Sequence, residues 1–345
     1  MEVLNDNNMN TKEEAPNANG LRVEKEWHEN GQLKKMTTYK GYMKDGECKE
    51  WYSNGQLSTS KNYKNGRLDG SIEEWWDNGK LALRGTYKEG KSEGVREEWY
   101  PNGEPRSKQH WKNGKLDGVL ESWGPYGELD QRCTYKEGLP DGLNETWYDN
   151  GQPRTRCKLS KGLVEGVLIE WYPTGQMRAK TNFKNDEKDG LLEKWYENGR
   201  LKARENYVNG KREGLTEWWH ANGRQEAKIE FRQGEMDGKR ETWYNNGQLL
   251  STSNWKSGKH VGQALFWGAD GQLRARKNYD DGLLDGVQEW KKLDGTISQC
   301  VFQNGFMRSE KTIEYFTDEV KVSEEGRKKI TIRSKGKKSG IKQNK

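Results

Sequence analysis

Carboxylates recur at one slot of this 345-residue chain, each directly before a glycine: Asp45, Asp69, Glu93, Asp117, Asp141, Glu165, Asp189, Glu213, Asp237 and Asp285. A ladder of acids is the residue type that a calcium ion requires. Spacing excludes it, because equivalent acids would stand two strands, roughly 9.6 Å, apart, whereas calcium gathers six to eight oxygens at about 2.3–2.6 Å. The acids therefore read as turn formers, whose short side chains accept bonds from their own backbone. Of the four histidines, His28 and His220 share a slot but fall on the order of 77 Å apart along such a strand ladder. His110 and His260 stand alone, with no Cys/His set at zinc spacing. No Gly-x-Ser-x-Gly elbow, phosphate-loop signature or Cys-x-x-Cys pair is present. The expectation is a protein that is not an enzyme and needs no catalytic residue, metal or cofactor. One further cluster is chemically active: the basic run Arg327, Lys328, Lys329, Arg333, Lys335, Lys337 and Lys338. It reads either as a contact for acidic phospholipid, worth about 1 kcal/mol per basic residue, or as a solvated tail, with nucleic acid the less expected ligand.

These residues are positioned by a repeat. A Trp-x-x-x-Gly pair recurs every 24 residues, at Trp27/Gly31, Trp51/Gly55, Trp75/Gly79 and onward to Trp267/Gly271. Gly295 extends the series, with Trp290 one residue early. A period of this length makes each unit one supersecondary element that is stabilised by stacking on its neighbours. Within a unit such as Gly70–Gly94, two β-rich segments alternate with two turns. The first turn carries Asn-Gly, which predicts a type I′ hairpin. The second has the form aromatic-x-x-Gly-x-x-acid-Gly, as in Tyr63/Gly66/Asp69/Gly70, and predicts a longer loop. Glycine recurs too often for helices, and no 3.6-residue apolar period exists. The fold class expected is all-β, an elongated single-layer antiparallel meander of stacked 24-residue β-hairpins. About 24 strands at roughly 4.8 Å would span on the order of 115 Å. The Trp row and the Tyr row should follow opposite margins; whether they share a face depends on loop length, since one residue more or less reverses it.

Composition agrees with concentrated rather than general burial: 30% of residues are hydrophobic and 33% charged, yet there are 16 Trp and 15 Tyr. Residues 327–345 carry nine basic residues and no acid, so the net charge of +6 belongs to the tail. The segments expected are a disordered polar tail over 1–20, about twelve repeats over 21–309, and a capping segment with the basic tail over 310–345, where Ile313, Tyr315 and Phe316 would cover the last sheet edge. Cys133 and Cys157 are two strands apart, beyond disulfide reach, and Cys48 and Cys300 lie near opposite ends, so free thiols are expected. No apolar run suits a membrane span and the start lacks a secretory signal, which makes a cytoplasmic location the default, with a peripheral membrane position open through the tail.

The residues Trp51-Tyr-Ser-Asn-Gly-Gln-Leu57 followed by Tyr63-Lys-Asn-Gly-Arg-Leu-Asp-Gly70 resemble the MORN repeat, in its variant form, over roughly residues 22–309. The resemblance implies hairpins stacked into one twisted sheet. It also implies a scaffold, with bacterial and viral variants often called antitoxin components and some eukaryotic members linked to phosphoinositide membranes. The chain departs from the pattern at Asp186 in place of a turn Gly, at Val261 in place of an acid, and at Gly124 and Gly268 in place of the Tyr after the Trp. The function expected is a non-enzymatic scaffold that binds a protein partner along the sheet, an antitoxin or immunity-type inhibitor being one version. The alternatives are a membrane-apposed scaffold binding acidic phospholipid through its tail, and carbohydrate binding on the aromatic ladders. The repeats around Trp123 and Trp267 are where a partner-specific surface is expected.

Overall fold

The computed structural model describes residues 11–292 and 296–313, with side chains to residue 310. All regular structure there is β: 29 strands run as an antiparallel meander with no helix. Twelve hairpins supply most of them. Three strands, such as Lys115–Leu116 with Gly118–Trp123, are interrupted at the acid–Gly step, and two more strands flank the array. One is Thr11–Glu13, which lies within the segment expected to be a disordered tail and instead pairs with Glu24–Glu26. The other is Phe306–Ile313, which pairs with Ile297–Gln303. Tyr315 and Phe316, the other expected edge cover, lie outside the described residues, as does the basic tail. The strands fall into two units, the first up to Met177 with Phe183–Asp186, the second Arg178–Asn182 and from Glu187 onward.

The two turns exchange the types expected of them. At Trp76–Gly79 the Gly79 N–H donates to the Trp76 carbonyl (2.9 Å) and the Trp76 N–H to the Lys80 carbonyl (2.8 Å). Asn78 keeps a negative φ and only Gly79 is left-handed (81°). This is a type I turn closed by a glycine bulge, a three-residue loop, and not type I′. Its Asn is selected because the side chain accepts from the Lys80 N–H at 3.0 Å. The type I′ turn sits instead at Asn65–Gly66, where both residues are left-handed (50° and 79°) between the paired Lys64 and Arg67. Glu89, Glu137 and Lys161 take the same left-handed position, a strain on the order of 1 kcal/mol each that the ladder described below must offset. Asp186 stands where glycine is usual and keeps φ at 68° while its carboxylate accepts from the Val164 N–H at 3.2 Å.

Register decides which faces the rows occupy. After the three-residue loop, Trp75 pairs with Leu81 but Glu74 with Leu83, so one extra residue restores parity. Tyr87 then pairs with Gly70 and shares a face with Ile72 and Glu74, while Trp75 falls with Glu73 on the other face. One face is packed: Thr37, Cys48, Ile72, Cys133, Cys157, Leu192, Thr216 and Ser253 are all buried along its mid-strand row. The opposite face is laced with exposed ion pairs, including Arg84–Glu73 (3.0 Å), Arg132–Glu121 (2.9 Å) and Arg204–Glu193 (3.1 Å). Each such pair contributes about 0–1 kcal/mol. The packed face supplies cohesion, and the ion-paired face keeps the other side soluble.

Candidate functional site

Three ladders tie each repeat to the next and consume most of the chemically active side chains. The acid before each repeat glycine accepts from the N–H of the following type I′ turn: Asp69 from Glu89 (3.0 Å), Glu93 from Asn113 (2.8 Å), Asp237 from Ser257 (3.1 Å). The turn Asn donates to a carbonyl 23 residues on, as Asn54 does to Asp77 (3.0 Å) and Asn78 to Pro101 (2.8 Å). The residue after the Trp donates to the next Trp carbonyl: Tyr52 to Trp75 (2.8 Å), Tyr100 to Trp123 (2.9 Å), Tyr244 to Trp267 (3.0 Å). His28 and His220 occupy that same slot, with Nε2 at 2.9 and 3.1 Å from the Trp51 and Trp243 carbonyls. Their shared slot therefore reflects packing chemistry, and His110 likewise bonds the Val119 carbonyl through Nδ1 (2.7 Å). All four cysteines are buried free thiols, and burial pushes those of Cys133 and Cys157 up.

Gly124 interrupts the third ladder. Its turn is intact, with the Gly124 N–H on the Glu128 carbonyl (2.8 Å), but the hydroxyl that would reach the next repeat is missing. A cleft of about 380 Å³ opens there, lined by Gly124, Tyr126, Glu128, Leu129, Tyr148 and Asp149, with Tyr126 90% exposed. A Cβ at Gly124 would meet only the flexible Glu128 side chain, and φ there is not left-handed. A tyrosine is thus excluded by neither backbone nor scaffold. At Gly268 the corresponding space holds the Asp270 and Arg274 side chains, which pair with each other.

Two charged clusters on the packed face of the second unit are absent from the sequence expectations. In the first, Glu205 is 2% exposed. Its carboxylate accepts from Tyr207 (2.6 Å), Arg212 (2.9 Å) and Trp218 (3.3 Å). Burial works to raise its pKa, but these bonds outweigh burial and hold it below the ordinary value. Arg212 in turn lies over Tyr207, Trp218 and Phe231. In the second, His260 lies between Trp255 (ring centroids 3.6 Å, tilted by 40°) and Tyr279 (4.5 Å, stacked), and its Nδ1 is buried without a hydrogen-bond partner. Burial, then Arg240 and Lys277, lower its pKa. Aligning the repeats would have shown charge in this row at Glu205, Arg240 and Lys277, but equally at Lys61 and Arg96, so alignment alone does not single out either cluster.

The period, the two turns and the three ladders now define the repeat. The profile of the MORN repeat variant matches seven segments: residues 23–40, 44–65, 68–89, 92–113, 164–185, 188–209 and 236–257. The chain is an array of MORN repeat variants. The unmatched stretch 114–163 contains Gly124, and 258–345 contains Val261 and Gly268, so three of the departures fall where the repeat is least regular. No curated protein matches. Among solved structures, the crystal structure of TcdB2-TccC3-TEV is 11% identical over 88% of this chain and 19% of that chain, at a TM-score of 0.17. The structure of TcdB2-TccC3 without hypervariable C-terminal region is 9% identical over 86% and 22%, at 0.13. This MORN-variant chain thus spans about a fifth of the length of the solved chains it matches. No helix of the described residues is long and apolar enough to cross a membrane.

Proposed function

We propose that this chain is a non-enzymatic MORN-variant scaffold that binds a protein partner on its sheet, with the cleft at Gly124 as a contact point. The supporting observation is the division of labour among its side chains. The repeated acids, asparagines, tyrosines and two of the histidines are committed to holding repeats together. At Gly124 that commitment lapses, and a cleft with a 90% exposed tyrosine takes its place. Exposed aromatics beside a pocket are typical anchors in protein interfaces. An antitoxin or immunity-type inhibitor is a special case of this reading, in which the scaffold covers a toxin's working surface.

The test is affinity capture from source-cell lysate with the native chain and with Gly124→Tyr, which restores the missing hydroxyl and fills the cleft. A discrete protein held by the native chain and lost or weakened at least tenfold by Gly124→Tyr supports the reading. Equal retention by both removes the cleft from it. A peripheral membrane role through Arg327–Lys338 makes a different prediction: co-sedimentation with phosphatidylserine vesicles that disappears on deleting residues 320–345.

A further inference from the structure

The packed face has a central row that can be followed strand by strand through cross-strand partners: Ile229, Arg240, Ser253, then Ala264, Lys277, Gln288 and Cys300. Cations occur elsewhere in this row, and each has a carboxylate beside it. Lys61 pairs with Glu74 (3.2 Å), and Arg96 with Glu98 (2.9 Å). Those acids occupy the position just before the repeat Trp. Beside Arg240 that position is Thr242, whose hydroxyl is engaged with Ser251 (2.6 Å). Beside Lys277 the corresponding neighbour is Trp290, opposite Ala275. Neither Arg240 nor Lys277 has an ion pair among the described residues; Lys277 lies over the Phe266 ring, 5.4 Å from its centroid.

No other side chain on this face can supply the missing charge. Register places Met236, Gly238, Thr242, Ser251, Trp255, His260, Gly262, Phe266, Ala275 and Tyr279 around the two cations, and none is acidic. Glu241 and Glu289 sit on the opposite face, where they face Lys239 (2.7 Å) and Arg276 (3.9 Å), and Glu230 on that face accepts from the Lys239 N–H (3.3 Å). Between Arg240 and Lys277 the row shrinks to Ser253 and Ala264, 2% and 1% exposed. The two cations thus flank a pair of small, covered residues, beside a histidine whose Nδ1 has no partner. A half-buried cation without a counter-charge costs stability and is retained by folding only where other contacts offset it.

We propose that this patch is the seat for a glutamate or aspartate side chain of an acidic segment of the partner protein, received between Arg240 and Lys277. Carboxylate is the chemistry that the chain itself uses to neutralise the equivalent cations at Lys61 and Arg96, and a partner's carboxylate would complete the same arrangement from outside. Arg240 offers a bidentate fork and Lys277 a point charge. His260, held between two rings, is placed to donate as a third group once protonated.

The inference rests on the protein-binding reading but is tested separately from it, by titrating the full chain with a hexaglutamate peptide at fixed ionic strength and following Trp fluorescence. Hexaglutamine and inorganic phosphate serve as comparison probes. The expected result is saturable binding of hexaglutamate alone, weakened at least tenfold by Arg240→Gln with Lys277→Gln and less than twofold by Lys239→Gln with Arg276→Gln on the opposite face. Circular dichroism confirms folding of each variant. Hexaglutamate binding that is indifferent to Arg240 and Lys277 would locate it elsewhere, on the basic tail for instance, and overturn the proposal. Saturable competition by phosphate would overturn it in favour of a general oxyanion site. Neither outcome touches the Gly124 cleft, whose test is the capture experiment.

Discussion

Glu205 and Arg240 occupy the same central row of the same face, yet one is a completed ion cluster and the other an incomplete one. Glu205 is buried and surrounded by three donors, and its partner Arg212 spreads over three aromatic rings. Arg240 is half-buried with no acid beside it on that face, and burial lowers its pKa. The difference teaches that charge on this face is not in itself a sign of function. A charge whose bonds are closed within the repeat is structural, whereas one left open marks a place where something else can bind.

Breaking the closed cluster should have the largest effect. Glu205→Ala strips the counter-charge from Arg212 and orphans donors on Tyr207 and Trp218. Loss of one member of a fully buried pair costs about 3–5 kcal/mol, and because the Arg212 side chain is 38% exposed the expectation here is about 2–3 kcal/mol. Urea unfolding of the second unit would measure it. A change under about 0.5 kcal/mol, the usual range for ordinary surface sites, would mean that the cluster is not cohesive. The acid limb gives an independent check. The folded pKa of Glu205 is lowered, so its contribution is complete above the ordinary carboxylate pKa and is lost as pH falls through the folded value. Glu205→Gln should flatten that limb of the stability profile.

The open cluster should respond with the opposite sign. Arg240→Met keeps much of the volume and removes a charge that nothing on its face offsets, so stability is expected to be unchanged or to rise by about 1 kcal/mol while hexaglutamate binding falls. His260 reports on the same site. Its folded pKa is lowered, so stability present above the ordinary histidine pKa, about 6.5, declines as pH falls below it, well before Glu205 titrates. In Arg240→Met the histidine resonance should titrate at higher pH, and the decline should soften. An unmoved His260 resonance would break the link between the two residues.

How much of this was legible in sequence follows the range of the interactions. The 24-residue period and the strands depend on local chemistry and recur in every unit. Asp69 and Glu93 were expected to accept from their own turn, but they accept from the turn of the next repeat, 20 residues on. The turn types were exchanged because Asn-Gly suits two hairpins. What selects the three-residue loop at Asn78 is a bond to Lys80 together with another to Pro101, one repeat away. Left-handed Glu89 and Lys161 carry no local signature, since the acid that steadies each lies 20 residues earlier. The face of the Trp row hinged on one bulged residue at the Leu81–Leu83 step. The clusters were hidden for a similar reason: whether Lys61 is neutralised by Glu74 or Lys277 is left beside Trp290 depends on register across strands, which composition does not show.

The smallest effects test whether the ladders, rather than the face charges, set the baseline on which both clusters stand. Asp237→Ala removes the acceptor for the Ser257 N–H at a strained left-handed residue and should cost about 1 kcal/mol. Val261→Asp is the reciprocal change, because Val261 is the position in the series that lacks an acid and Asp281 is the turn residue it would cap. The gain should be smaller, about 0.5 kcal/mol, since Asp281 brings its own negative charge and Lys259 already neutralises it at 2.8 Å. If Val261→Asp stabilised as much as Asp237→Ala destabilises, the Lys259–Asp281 pair would contribute nothing at that turn. If instead it destabilised, repulsion between the two carboxylates would outweigh the cap, and that ion pair would be the local substitute for the missing acid.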